Sequence, residues 1–254
     1  GPVAAASLQL LAKDFAIEAV ITKPRAAHHR GPVPVIETAE ALGLPLHLAG
    51  TRKELDALFS DAPFTSQVGV LIDFGIIVSK DVIDYFPKGI VNSHFSVLPE
   101  WRGADPISFA VLSGQGSTGV SLMLLVPAMD EGPLIAYGIY DLPPDITTPV
   151  LTSHLIHLSH ALLKAELPNY LEGRRAGSDQ SITHRKVSYS RKLSKDDGQL
   201  DWNKPAATLE REIRAFIEWP KSRAQLANKD VVITAAHVAD SNELANTKTA
   251  TPAI

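Results

Sequence analysis

The sequence predicts an α/β fold, doubly wound around a mostly parallel sheet, followed by a linker and the start of a small C-terminal β domain. Three observations predict it. Strand-length apolar stretches alternate with amphipathic helical stretches from the first residues to about residue 125, the order that builds parallel sheets with crossover helices. One of them, Val68 to Phe74, is continuously apolar, as a strand buried on both faces is. From Gly173 to Asp179, Gly, Ser and charge replace that texture, and a further helix with strand signals behind it follows after about residue 205. The expected division is a catalytic domain over 1–175, a linker over 176–204 and a partial β domain of the OB-like kind over 205–254.

In chain order, Gly1-Pro2 reads as a turn or a tag remnant. Leu8, Leu11 and Phe15 recur at spacings of three and four, which predicts a helix from Ala4 to Phe15. Ile17 to Thr22 predicts a strand closed by Lys23-Pro24. The following loop carries Lys23, Arg25, His28, His29 and Arg30, a run that reads first as a solvated surface. Val35 to Leu42 predicts a helix, Leu46 to Leu48 a strand, and Thr51 to Phe59 a helix capped by Thr51. After the apolar run, Asp73-Phe74-Gly75 imitates a kinase motif, but the glycine-rich and His-Arg-Asp loops are missing. Lys80 to Phe86 predicts a helix and Gly89 to Asn92 a strand. An α/β sheet normally opens with a strand and this chain opens on a helix, so a first central strand is expected to be missing and the chain incomplete.

Further on, Val150 to Leu171 predicts a helix with Leu151, Leu155, Leu158 and Leu162 inward. His154, His157 and His160 step by three, which turns each back by about 60° and fans the rings apart, so an exposed flank is expected and no metal site. Ile182 to Tyr189 predicts a strand, Ala206 to Phe216 an amphipathic helix, and Val231 to Thr234 with His237-Val238 the start of the β domain.

Composition narrows the function. The 254 residues are 45% hydrophobic, enough for a full core, and the net charge is -4. That charge, with a pI near 6.1, argues against coating nucleic acid by bulk charge. Cysteine is absent, which removes disulfides, thiolate metal sites and a thiol nucleophile. No apolar run approaches the roughly 18 to 20 residues of a membrane span and no leader opens the chain. A cytoplasmic protein is expected, or an organellar one if a targeting segment has been removed.

The chemistry concentrates between Val91 and Gly132. Asn92 and His94 stand two apart at a predicted strand end, so they share a face, and in doubly wound sheets ligands sit beyond the carboxyl ends of strands. Histidine suits the removal of a proton from an attacking amine. A carboxamide suits an oxyanion. Asp130, 36 residues after His94 and close to a glycine suited to a tight turn, is able to return to the same edge and orient the imidazole. On residues alone, Asn-x-His is as often structural as catalytic.

The stretch Asn92 to Pro106, with Leu98-Pro99, Trp101-Arg102-Gly103, then Thr118-Gly119-Val120 and Met129-Asp130-Glu131-Gly132-Pro133, resembles the signature of the folate-dependent formyltransferases. The resemblance runs nearly to Val238 and implies a Rossmann-like catalytic domain, N10-formyltetrahydrofolate as donor, and Asn92, His94 and Asp130 as catalytic trio. It implies a folate pocket lined by Phe74, Gly75, Ile76, Ile77, Met129, Glu131, Gly132 and Pro133, and no metal. Lys192 to Gly198, Asp201-Trp202, Ile213 to Phe216 and Trp219-Pro220 are most similar to the branch that formylates methionyl-tRNA. The implied partners are initiator Met-tRNA and the folate, the implied state a monomer. Arg25, Arg30, Arg102, Lys192 and Lys195 are candidates for substrate contact, with Lys186 and Arg191 beside them. Two positions depart from the pattern. The basic loop at Lys23 to Gly31 is short, and Asp105 replaces a small residue. A nucleotide-linked amino sugar is the alternative acceptor, and a catalytically silent folate- or tRNA-binding module the alternative of another class.

Overall fold

The computed structural model describes residues 1–26, 31–61 and 64–240. Arg30, with His28 and His29, lies outside the described residues, as does the chain after residue 240.

Helix α1 (Pro2–Leu11) starts with proline in its first turn, where the missing N–H costs nothing. It stops short of Phe15 in a series of turns, and β1 follows (Val20–Thr22). Next come α2 (Pro34–Ala41), β2 (Leu46–Leu48) and α3 (Arg52–Asp61). Thr51 caps α3 by accepting from the Glu54 N–H at 3.2 Å. Then β3 (Gly69–Leu71), α4 (Lys80–Tyr85) and β4 (Ile90–His94) bring the chain to the catalytic stretch. The strand β4 runs two residues beyond its predicted end, so Asn92 and His94 both lie inside it, and all five of its residues are buried.

After β5 (Arg102–Gly103) and α5 (Pro106–Ser113), the long strands β6 (Ser117–Leu124) and β7 (Leu134–Asp141) complete a four-stranded sheet in the order β3-β4-β6-β7. Strands β3 and β4 are parallel, pairing Leu71 with Asn92, whereas β6 and β7 are antiparallel to their neighbours. Within this four-stranded sheet parallel pairing is therefore confined to β3–β4, because α5 returns the chain to β4 from the opposite end and β6 to β7 is a hairpin. Helix α6 (Thr148–Leu171) covers this sheet, burying Leu151, Leu155, Ile156, Leu163 and Leu167. Its histidines stay apart: His154 stacks on Tyr140, and His160 reaches Asp14 at 2.7 Å. Among the described residues no group of His, Cys, Asp and Glu is disposed to hold a metal ion, and no helix is long and apolar enough to cross a membrane.

The predicted strand at Ile182 to Tyr189 is not formed. A 3-10 turn occupies Gln180–Thr183, His184 takes a left-handed φ of 55°, and only β8 (Tyr189–Ser190) is extended, pairing with β5. The periodic signal failed because Gln180 and Thr183 turn inward to bond loops of the catalytic stretch. Helix α7 (Ala206–Ala215) packs on α5, and β9 (Ser222–Leu226) pairs with β10 (Lys229–Ile233). Ala227 and Asn228 both have positive φ, the two-residue turn that matches the twist of a hairpin.

The pair β1–β2 is not bonded to the four-stranded sheet. Between β1 and β3 lies an apolar cavity of about 590 Å³, lined by Leu8, Ile21, Phe59, Val70, Ile72 and Leu167 among others. This is why the Val68 to Phe74 run is not buried on both faces: only three of its residues are strand, and Val70 is 38% exposed.

Glu18, just before β1, ties down the start of β3. Its carboxylate accepts from the Thr65 N–H at 2.7 Å, the Ser66 N–H at 2.8 Å and both hydroxyls. The Ser66 hydroxyl first, then Thr65, lower its pKa to about 2. A depressed carboxyl stabilises the fold above its unfolded value near 4.5, and that contribution is lost as pH falls toward 2. Glu18→Gln is therefore expected to lower the urea midpoint at pH 7, and the gap to wild type should close as the pH is taken from 4.5 to 2. A gap independent of pH would show that the carboxylate's charge is not what matters.

Candidate active site

Asn92 and His94 are the third and last residues of β4, on one face, and are 7% and 6% exposed. Strand β6 supports them, pairing Met123 with Asn92 and Ser121 with His94. Ser121 also steadies the loop that follows, donating to the Ser96 carbonyl at 2.8 Å and accepting from the Leu98 N–H at 2.9 Å. That loop then curls back, so that the Trp101 carbonyl lies 2.9 Å from Nε2 of His94.

This contact decides the tautomer. A carbonyl oxygen only accepts, so Nε2 carries the hydrogen and donates it, leaving the lone pair on Nδ1. Nδ1 lies 3.8 Å from Oδ2 of Asp130, beyond hydrogen-bond range, with the carboxylate facing the ring. The ring that Asp130 was expected to orient is also bonded at Nε2 by a backbone carbonyl, and Asp130 faces the other nitrogen, Nδ1.

Asp130 sits between β6 and β7, its Oδ2 accepting from the Gly103 N–H at 2.7 Å. The tight turn expected of the glycine belongs to Asp130 itself, whose φ is 53°. Gly132 is required for another reason: a Cβ there would lie 1.7 Å from the Leu124 carbonyl oxygen.

The residues proposed to line the folate pocket flank this group. Phe74 packs against Leu55 and Val82, Gly75 accepts a bond from Lys23, and Ile77 is 77% exposed. Met129 is 59% exposed, so both it and Ile77 present apolar side chains to solvent. Burial raises the Asp73 carboxyl at the base of the Phe74 loop above its ordinary value. Pro133 and Gly132 are held more deeply, next to Gly177 of the linker.

The candidate substrate cations divide. Arg25, Lys186, Lys192 and Lys195 are exposed. Arg191 is paired with Asp197. Arg102 is turned inward, its guanidinium donating to Glu131 at 3.1 Å and to Gln180 at 2.7 Å. Asp105, the departure from the family pattern, accepts from the Leu193 N–H at 2.8 Å and so ties the linker to α5.

Sequence reasoning missed Gln180, Ser121 and Ser188. Ser188 holds the site loop by bonding the Trp101 N–H at 2.9 Å through its hydroxyl and the Arg102 N–H at 3.0 Å through its carbonyl. All three are small or neutral side chains, and none carries a motif.

Comparison with known proteins gives a consistent result. Residues 18–167 match the formyl transferase family and residues 192–252 its C-terminal domain. A methionyl-tRNA formyltransferase of Roseiflexus sp. is 34% identical over 241 residues, covering 92% of this chain and 74% of the relative. One from Chloroflexus aggregans is 36% identical over 217 residues, covering 84% and 70%. Among solved structures, a sugar N-formyltransferase from Shewanella sp. superposes with a TM-score of 0.68 at 15% identity, covering 94% of this chain and 95% of that one. The N-formyltransferase of Helicobacter canadensis, in complex with folinic acid and dTDP-3-aminofucose, gives 0.66 at 19%, covering 85% and 77%. At such identities the structural likeness is one of fold, and the curated relatives carry the finer relationship. With a family match over most of its length and relatives above 30% identity, this chain belongs to the formyl transferase family.

Proposed function

We propose that this protein transfers the formyl group of N10-formyltetrahydrofolate to the α-amine of methionine carried on initiator tRNA, in support of translation initiation. One observation carries the reading: Nδ1 of buried His94 faces the Asp130 carboxylate at 3.8 Å, with Asn92 on the same strand face. A pocket of this kind accepts a proton, stabilises the resulting imidazolium and offers an amide donor to developing negative charge. The curated relatives named for methionyl-tRNA favour that acceptor over an amino sugar.

The folate, when bound, supplies an activated formyl carbon. The exposed side chains of Ile77 and Met129 suit its flat ring system, and the loop at Phe74 to Ile77 with the turn at Met129 to Pro133 would hold it. His94 takes the proton that the attacking amine loses, at Nδ1, and gives it to N10 of the folate as the bond between N10 and the formyl carbon breaks. Asn92 donates an amide hydrogen to the oxygen on which charge gathers. Asp130 stabilises the charged ring without bonding to it. Arg25, Lys192 and Lys195 are exposed and free to meet tRNA phosphates, whereas Arg102 is committed internally.

The deciding experiment supplies the protein with the formyl donor and, separately, with methionyl-tRNA and a nucleotide-linked amino sugar. Formylmethionine on the tRNA is the expected product, with tRNA binding that weakens as salt rises. Formylation of the amino sugar alone would replace this reading with the sugar one, and folate binding without transfer to either would leave a binding module.

A further inference from the structure

The segment between the two family-matched regions carries a buried side chain that the reaction above does not use. Gln180 opens the 3-10 turn and is 5% exposed, although Asp179, Ser181 and Ile182 around it are exposed. A glutamine among Gly, Ser and charged residues ordinarily stays in solvent, and one that is buried must find partners. Gln180 finds three. Its Nε2 donates to the carbonyl oxygens of Asp130 at 2.7 Å and Gly132 at 2.9 Å, and its Oε1 accepts from Nη2 of Arg102 at 2.7 Å.

Those partners are the backbone of the turn that presents Asp130. Its φ of 53° is one that a residue with a Cβ keeps only where the surroundings hold it. Two contacts hold it: the Gly103 N–H on the carboxylate and the Gln180 amide on the carbonyl of the same residue. Arg102 closes the arrangement, joining Gln180 to Glu131. We infer that Gln180 is a positioning residue, which clamps the Asp130–Gly132 turn to the linker and so fixes the Asp130 carboxylate opposite Nδ1 of His94.

The linker has a second anchor. Ser178 and Leu134 exchange backbone bonds at 2.7 and 2.8 Å, so the linker stays docked when the Gln180 side chain changes. The clamp is thus separable from the fold.

Gln180→Glu is the decisive substitution, because it keeps shape and the acceptor for Arg102 while removing the amide donor to both carbonyls. The inference rests on the proposed formyl transfer for its kinetic readout. Gln180→Glu is expected to lower kcat by about 10- to 10²-fold, the usual effect of a small misplacement at a reacting centre, with the KM for the amine little changed. Placed on Asp130→Asn, it should add no further loss, since a residue acting through Asp130 has nothing left to position. A rate within about twofold of wild type, or an equal loss in both backgrounds, overturns the inference. The ring NMR signals of His94 give a readout independent of turnover, and should shift in Gln180→Glu toward their positions in Asp130→Asn. If the wild-type protein formylates no acceptor, the functional reading has failed and this shift alone decides the clamp: unmoved His94 signals refute it. Gln180→Leu, which removes all three bonds, should repeat the shift, and thermal unfolding checks that both variants remain folded.

Discussion

His94→Ala is expected to slow formyl transfer by about 10²- to 10⁴-fold, the range over which a positioned general base contributes. The loss should fall on kcat, because the ring accepts its proton only as the amine attacks and contributes little to holding either substrate. The fold should survive. Among the described residues only Nε2 of the ring has a bonding partner within hydrogen-bond range, the Trp101 carbonyl, and the loop that bears it is held independently by Ser121 and Ser188. Steady-state kinetics with saturating donor, alongside circular dichroism of the same sample, make the measurement. A folded variant with a near-normal rate would remove His94 from the chemistry, and with it the proposed function of the site.

Asn92→Ala should cost about 10²- to 10³-fold, the usual loss when one donor to a developing oxyanion is taken away. The reasoning is geometric. Asn92 is buried at the centre of the sheet, on the His94 face, where a carboxamide without a partner would be costly. Its effect should appear in kcat and leave the dissociation constant of the folate nearly unchanged. A variant that loses folate affinity and keeps kcat would make Asn92 a binding residue instead. The two substitutions share one reacting centre, so the double variant should be much less impaired than the product of the single losses.

Much of this was legible in the sequence, for identifiable reasons. Strand β2 was placed to the residue at Leu46 to Leu48, and α7 nearly so, because their apolar positions follow one period between clear breakers. The convergence of Asn92 and His94 followed from spacing alone. Where reading failed, long-range contacts had decided the outcome. The apolar run from Val68 looked like a seven-residue strand, but three residues are extended and the rest bend away beside the cavity. Ile182 to Tyr189 looked like a strand and is mostly irregular, because Gln180 and Thr183 find partners 50 and 85 residues away. The hairpin of β9 and β10 was half seen, since Ala227 is an unusual residue for a left-handed turn. Arg102, expected as a substrate contact, also donates to Glu131 and Gln180, which its charge alone did not reveal.

The acceptor that settles which nitrogen of His94 is basic is the main-chain oxygen of residue 101. Most second partners of catalytic histidines are side chains, and a single base change in the gene deletes them. Here any codon at position 101 encodes the same oxygen, whatever becomes of the indole. Mutational scanning of that position would register the loss of the Trp101 ring, which bonds Gln115, and the strain of its φ of 55°, yet leave the chemical identity of the acceptor untouched. The proton inventory of the site is thus written into the path of the chain, where point mutation reaches it only by bending the loop.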